Sequence, residues 1–345
     1  MKFKKFASID NVSRTKTINY IIEMGFSEGE WEVQEKCHGS NFSIWYDGET
    51  MKPAKRSQFI QTDDNFNNCK KVIGELEENV KALWKELDDE YHDENEDNVE
   101  VSIFGEIFGG SYSHPDVEKV KGATRVQSGV FYSPDNLFYG FDIMVNGRYL
   151  DTKTVEELFE RYDFFYAKPL FRGTFKECLE YSNKFQTNIP KWLGLPEIED
   201  NICEGVVLRP VEPKFFGCGS RVILKNKNEK WSEKAHKQKS VKTVEPLSEN
   251  AQKILDEVSL YFTENRLKNV LSKIGQVTQK DFGKVMKAFQ EDVYEDFNKD
   301  HEGDDSFNLD LLEDKKEAKT VHKRACSVGS GIVRSNFQNI IDGTF

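Results

Sequence analysis

Five short stretches of this 345-residue sequence hold side chains of the kinds that do chemistry. The first is Glu35-Lys36-Cys37-His38-Gly39-Ser40-Asn41-Phe42, a lysine three residues before a glycine. A lysine amine is a nucleophile only without its extra proton, which the free group gives up near pH ~10.4. Alone, a Lys-x-x-Gly pattern recurs by chance and fits any surface lysine beside a turn glycine. The others are Phe104-Gly105-Glu106, Phe141-Asp142-Ile143, Glu204-Gly205-Val206-Val207-Leu208-Arg209 and Lys225-Asn226-Lys227. Carboxylates such as Glu106 and Glu204 suit hydroxyls and hard cations, and a ring such as Phe141 suits stacking. In a strand, Lys225 and Lys227 share one face, because side chains alternate. Each also has a plainer use. Phe141 fits a core, Glu204 a turn, Glu106 a surface ion pair, and the two lysines a solvated strand face.

These residues need elements to position them. A short helix is expected around residues 16–24, ending at Gly25, and strands over 31–45 around a tight turn at Gly39. Val72, Ile73, Leu76, Val80, Leu83, Trp84, Leu87 and Tyr91 recur at helical steps and predict an amphipathic helix. Buried strands are expected at 99–108, 136–145 and 202–209, and an alternating one at 221–227, with helices at 155–162 and 175–181. This is an α+β domain with a mixed or antiparallel sheet over residues 1–235. A polar, basic linker follows at 236–246. Helical patterns at 247–258, 264–274, 278–297 and 309–326 then predict a small all-helical C-terminal domain over 247–345.

Composition fits a soluble globular chain, with 37% hydrophobic and 31% charged residues. The six cysteines form no CxxC pair, so reduced thiols are expected in place of a zinc site or disulfides. No apolar run approaches a membrane span, and the start reads as neither signal nor transit peptide, so a cytoplasmic site of action in a cell or infected host is expected. The net charge of −12 conceals polarity. Between residues 209 and 242 ten Lys/Arg stand against three Glu, whereas acidity gathers at 86–100 and 300–317. The basic stripe is expected to bind phosphates. The acidic runs read as solvated loops.

All five stretches occur in the order Lys-x-x-Gly, strand glutamate, aromatic, Glu-Gly, Lys-x-Lys. In this the chain resembles the covalent nucleotidyltransferase superfamily of ligases and RNA capping enzymes. It is most similar to the RNA ligase 2 family, typified by a phage enzyme that seals nicks in duplex RNA and related to kinetoplastid RNA-editing ligases. The distinguishing residues are His38 before Gly39, then Ser40-Asn41-Phe42, Ala54-Lys55-Arg56, and Lys227-Asn228 running into Trp231-Ser232-Glu233-Lys234. Residues 264–275 and 280–286 look like that family's helical domain, and the resemblance covers residues 1–297. Two departures are Cys37, where an aliphatic residue is common, and Arg209, where a lysine is frequent.

The resemblance implies an ATP-dependent RNA ligase using Mg2+ or Mn2+, with Lys36, Glu204, Lys225 and Lys227 catalytic. It implies that AMP is held by Glu35, Arg56, Glu106 (ribose), Phe141 (adenine), Lys225 and Lys227 (phosphate), and the metal by Glu204. RNA contacts are implied for His38, Ser40, Asn41, Arg209, Arg266 and Asp292. Lys225, Lys227, Arg56 and a divalent ion are expected to lower the pKa of Lys36. The expected partner is nicked duplex RNA, read through shape and phosphates by a monomer away from membranes. Two other readings compete. A DNA ligase or capping enzyme usually carries a β-rich domain after Lys-x-Lys and Asp in place of His38, and a catalytically silent RNA-binding protein would have lost one of the key residues.

Overall fold

The computed structural model describes residues 1–92, 98–228, 247–312 and 315–345. The chain divides into two compact units, Met1–Lys230 and Trp231–Phe345. The expected boundary at 235, the linker at 236–246, acidic residues 93–97, Glu313 and Asp314, and basic residues 230–242 lie outside the described residues.

The first unit contains, in chain order, strands β1 (Asp10–Asn11), β2 (Trp31–Glu35), β3 (Ser40–Tyr46), β4 (Met51–Lys55) and β5 (Gln58–Phe59). They are followed by β6 (Val101–Ser111), β7 (Ser133–Val145), β8 (Arg148–Tyr149), β9 (Pro169–Gly173), β10 (Gly205–Pro210) and β11 (Leu224–Lys227). Its helices are α1 (Thr15–Glu23), α2 (Cys69–Tyr91), α3 (Thr152–Arg161), α4 (Phe175–Glu180) and α5 (Ile189–Trp192). The strands form two sheets, ordered β1-β11-β10-β2-β9 and β5-β4-β3-β6-β7-β8. Every pairing is antiparallel except β1 with β11, which is parallel.

Side-chain alternation explains the layers. Trp31 and Val33 of β2 pack with Val206, Leu208, Ile21 of α1 and Phe175 of α4 on the outer face of the first sheet. On the second sheet, Phe42, Ile44, Ile103 and Ile143 face Val72, Val80, Leu83 and Leu87 of α2 and Val155, Leu158 and Phe159 of α3. Each such burial contributes about 1.5–3 kcal/mol. Between the sheets lie Phe6, Trp45, Phe104, Met144 and Ile223, with Phe141 and Val207 against them.

Both strands expected over 31–45 form, but they do not make a hairpin. β2 pairs with β9 and β10, while β3 pairs with β4 and β6. Residues 36–39 therefore cross from one sheet to the other. A second irregularity matters for the site: β7 sets Asp142 opposite Phe104 and Gly140 opposite Gly105. Phe141 is the extra residue of a β-bulge, a device that re-aims side chains.

The second unit holds α6 (Glu249–Ser259), α7 (Glu264–Ile274), α8 (Phe282–Asp300) and α9 (Lys315–Ile341) around one apolar core. Ser248 and Thr263 cap α6 and α7 through their hydroxyls. The last helix departs from the expected 309–326. Its first residues form a separate 3-10 turn, Leu309–Leu311, and α9 runs past Gly329 to Ile341. Gly329 is seated on Phe262, 2.5 Å from where a Cβ would stand, so packing outweighs the low helix propensity of glycine.

Candidate active site

The crossing turn at 36–39 is held through the N–H groups of Lys36, His38 and Gly39 and at the carbonyl just before it. The Tyr139 hydroxyl donates to the Glu35 carbonyl (3.2 Å), and the Lys36 N–H donates to the Gly205 carbonyl (3.0 Å). The His38 N–H donates to the Tyr132 hydroxyl (2.9 Å), and the Gly39 N–H donates to Glu106 Oε2 (2.7 Å). A Cβ on Gly39 would lie 2.5 Å from the Ile107 carbonyl oxygen, which requires glycine there.

This turn aims Lys36 at Glu204. Lys36 Nζ lies 2.8 Å from Glu204 Oε2, Lys227 Nζ lies 2.8 Å from Oε1, and His38 Nδ1 lies 3.5 Å from Oε2. Glu204 is 1% exposed. It enters β10 through Gly205, whose φ of +145° and closeness to the Asn226 carbonyl admit no side chain.

Burial works against ionising Glu204, yet Lys227, Lys36 and His38 outweigh it and hold the carboxyl well below its ordinary range. Burial likewise favours a neutral Lys36, but Glu204 and Glu106 more than offset it and raise its pKa. Lys227 acts to lower it, as expected of a nearby cation, but the two carboxylates outweigh Lys227. Burial lowers the pKa of His38, only partly opposed by Glu204. Burial raises that of Glu106, partly offset by Lys36. An ionised Glu204 offers the carboxylate oxygens that a hard divalent cation prefers, while no group of three or more potential protein ligands converges among the described residues.

Lys225 and Lys227 share a face of β11 by alternation. Phe141 is partly exposed and sets its ring edge-on to Phe6, centroids 5.1 Å apart. Arg56 follows β4, partly exposed, with Nη2 3.3 Å from Ser8 Oγ. Glu35 differs from expectation. Its side chain is buried, accepting from the Thr187 hydroxyl and from Asn188 N (2.9 Å) and Nδ2 (3.1 Å), so it does not face a nucleotide. Burial pushes its pKa up to about 7.

The expected RNA contacts fare unevenly. Asn41 is partly exposed. His38 (4% exposed) faces Glu204, and Ser40 (1% exposed) lies inside β3, so neither presents itself to RNA here. Arg209 is 2% exposed and pairs with Glu32 (3.2 Å) and Asp142 (3.2 Å), while its Nη2 donates to the Phe141 carbonyl (2.8 Å). With Arg221 also on Asp142, it ties the sheets together beneath Phe141. Among the described members of the basic stripe, Arg209 and Arg221 are buried in ion pairs, Lys227 pairs with Glu204, and Lys214 donates to the carbonyls of Phe26 and Glu28. In the second unit Arg266, 2% exposed, pairs with Asp292 (2.8 Å) and Asp296 (2.9 Å). Arg266 and Asp292 thus engage each other.

Sequence reading missed Tyr132, Tyr139 and the Glu32–Arg209–Asp142–Arg221 network. Only the isolated polar residues within strands Trp31–Glu35 and Ser133–Val145 hint at the last.

Residues 29–227 match the family model described as RNA ligase, and residues 244–327 the model described as T4 RNA ligase 2 C-terminal. RNA-editing ligase 2, mitochondrial, of Trypanosoma brucei brucei is 30% identical over 356 residues, covering 87% of this chain and 84% of that protein. RNA-editing ligase 1, mitochondrial, of the same organism is 29% identical over 366 residues, covering 86% and 76%. Among solved structures, Naegleria gruberi RNA ligase with PPi is similar at 16% identity and a TM-score of 0.43, covering 67% of this chain and 58% of that one.

Proposed function

The chain belongs to the RNA ligase family, in its RNA ligase 2 branch, and from that premise we propose that it seals nicks in duplex RNA through an adenylylated Lys36. The observation that carries this is one buried glutamate, Glu204, held between Lys36 and Lys227 at 2.8 Å each.

An ATP-dependent RNA ligase divides a slow phosphodiester synthesis into three displacements. The Lys36 amine attacks the α-phosphorus of ATP: the N–P bond forms, the bond to the β-phosphate oxygen breaks, and pyrophosphate leaves. The 5′-phosphate of the RNA then displaces Lys36 from AMP. The neighbouring 3′-hydroxyl finally attacks that phosphate and expels AMP. Lys36 must lose a proton before the first step, and its ammonium donates to Glu204 Oε2 (2.8 Å). Charge drawn away from Glu204 therefore frees the nucleophile. Glu204, with Glu106 nearby, would hold a divalent ion, magnesium or manganese, which when bound neutralises charge building on the α-phosphate. Lys225 and Lys227 would hold that phosphate, Glu106 the ribose and Phe141, re-aimed by its bulge, the adenine. The buried Arg209 keeps the Phe141 carbonyl fixed.

Incubation with α-labelled ATP and magnesium, then a denaturing gel, should give a labelled band that Lys36→Ala lacks. The labelled protein should join a nicked RNA duplex faster than single-stranded ends. Absence of label in folded protein would defeat the covalent step. Equal rates on the two RNAs would defeat the duplex preference.

A further inference from the structure

We propose that Tyr132, paired with Tyr139, is a positioning residue for the covalent step, a reading that rests on Lys36 as the nucleophile. The two phenols hold the backbone on either side of that lysine. Tyr139 donates to the carbonyl of residue 35 and Tyr132 accepts the N–H of residue 38, at 3.2 Å and 2.9 Å. Both rings are buried and meet in one aromatic cluster. Phe108 touches Tyr132 and Tyr139 edge-on, with centroids 5.8 Å and 6.1 Å apart, and Phe165 packs on Phe108 and Tyr139.

The cluster is anchored to the carboxylate side of the site as well. Asn201, three residues before Glu204, grips the residue before Tyr132 at two points. The Phe131 N–H donates to Asn201 Oδ1 (2.9 Å), and Asn201 Nδ2 donates to the Phe131 carbonyl (2.6 Å). A short buried path thus runs from the approach to Glu204, through Asn201 and Tyr132, to the nucleophile's own turn. Burial holds both phenols well above the ordinary tyrosine range, so they remain neutral hydroxyls at every pH at which a lysine could react. Their contribution is geometric. Because near-attack alignment governs such displacements, a turn free to shift loses rate with little change in nucleotide affinity.

The test replaces oxygen alone. Tyr132→Phe keeps the ring against Phe108 and removes the acceptor for the His38 N–H. At saturating ATP the rate of covalent labelling should fall about tenfold or more, as expected when a buried N–H loses its partner. KM for ATP should stay within about twofold. Tyr139→Phe should act in the same direction, and the double variant should lose less than the product of the two, since both act on one turn. Thermal melting of each variant checks that it is folded. Wild-type labelling with Lys36→Ala blank establishes the underlying reading first. Given that, unchanged labelling in either folded variant, or a rise in KM matching the fall in rate, overturns the proposal.

Discussion

Each unit of the chain buries a cluster of opposite charges, and the two are built from nearly the same parts. In the first, one carboxylate, Glu204, is shared by two lysines at 2.8 Å each. In the second, one guanidinium, Arg266, is shared by Asp292 at 2.8 Å and Asp296 at 2.9 Å, with Lys273 also on Asp292. The difference lies in what can give up a proton. A lysine amine can become neutral and attack. A guanidinium keeps its charge at any accessible pH, so it cannot attack, and here it holds α7 against α8. Burial of charge alone does not mark a reactive centre. What separates the two is an amine held against a buried carboxylate: Lys36 is 16% exposed beside Glu204 at 1%, whereas Lys273, on Asp292, is 35% exposed.

That contrast breaks or sharpens under three substitutions. The largest effect is expected from Lys36→Arg, which keeps the charge and can keep the Glu204 pair. Labelling from α-labelled ATP should fall at least about a thousandfold, because no amine remains to form the intermediate. A band of wild-type intensity would mean the nucleophile lies elsewhere.

Arg266→Ala comes next. It removes the cation that Asp292 and Asp296 share while Lys273 stays on Asp292, and urea unfolding should show a loss of about 1–3 kcal/mol. Lys36 labelling should stay within about twofold. Unchanged stability together with lost sealing would instead make Arg266 an RNA contact.

The smallest effect concerns Glu35. Its folded pKa of about 7 stands above the ordinary 4.5, so the folded chain keeps a proton that the unfolded chain releases. That contribution is complete below pH 4.5 and is lost as pH rises to about 7, amounting to about 3 kcal/mol at most. Glu35→Gln should show a flatter stability profile across this window. Parallel profiles would place the ionised carboxylate inside the fold.

Much of this was legible in the residues, for identifiable reasons. Long periodic elements such as α2 follow from apolar spacing, and α7 stands where its pattern put it. Lys36, Glu204 and Lys227, some 190 residues apart in sequence, come together because their motifs lie on β2, β10 and β11, neighbours in one sheet. Sequence could not say that β2 and β3 belong to different sheets, because alternation reports a strand and not its partner. It could not separate Arg209 at a surface from Arg209 buried on Glu32 and Asp142, since a charge looks alike in either setting. The two phenols escaped notice because a tyrosine in an apolar strand reads as core. For Lys36 the sequence showed the cations near it but not the carboxylates, Glu204 and Glu106, which raise its pKa.

The four-residue crossing between β2 and β3 has a mechanical meaning. Lys36 rides on a taut strap joining two plates, with its backbone fastened at Gly205 on one and its turn fastened through Gly39 to Glu106 on the other. Any change in the spacing of the two plates would pull on that strap and move the amine, so the packing between the sheets also sets the reach of the nucleophile.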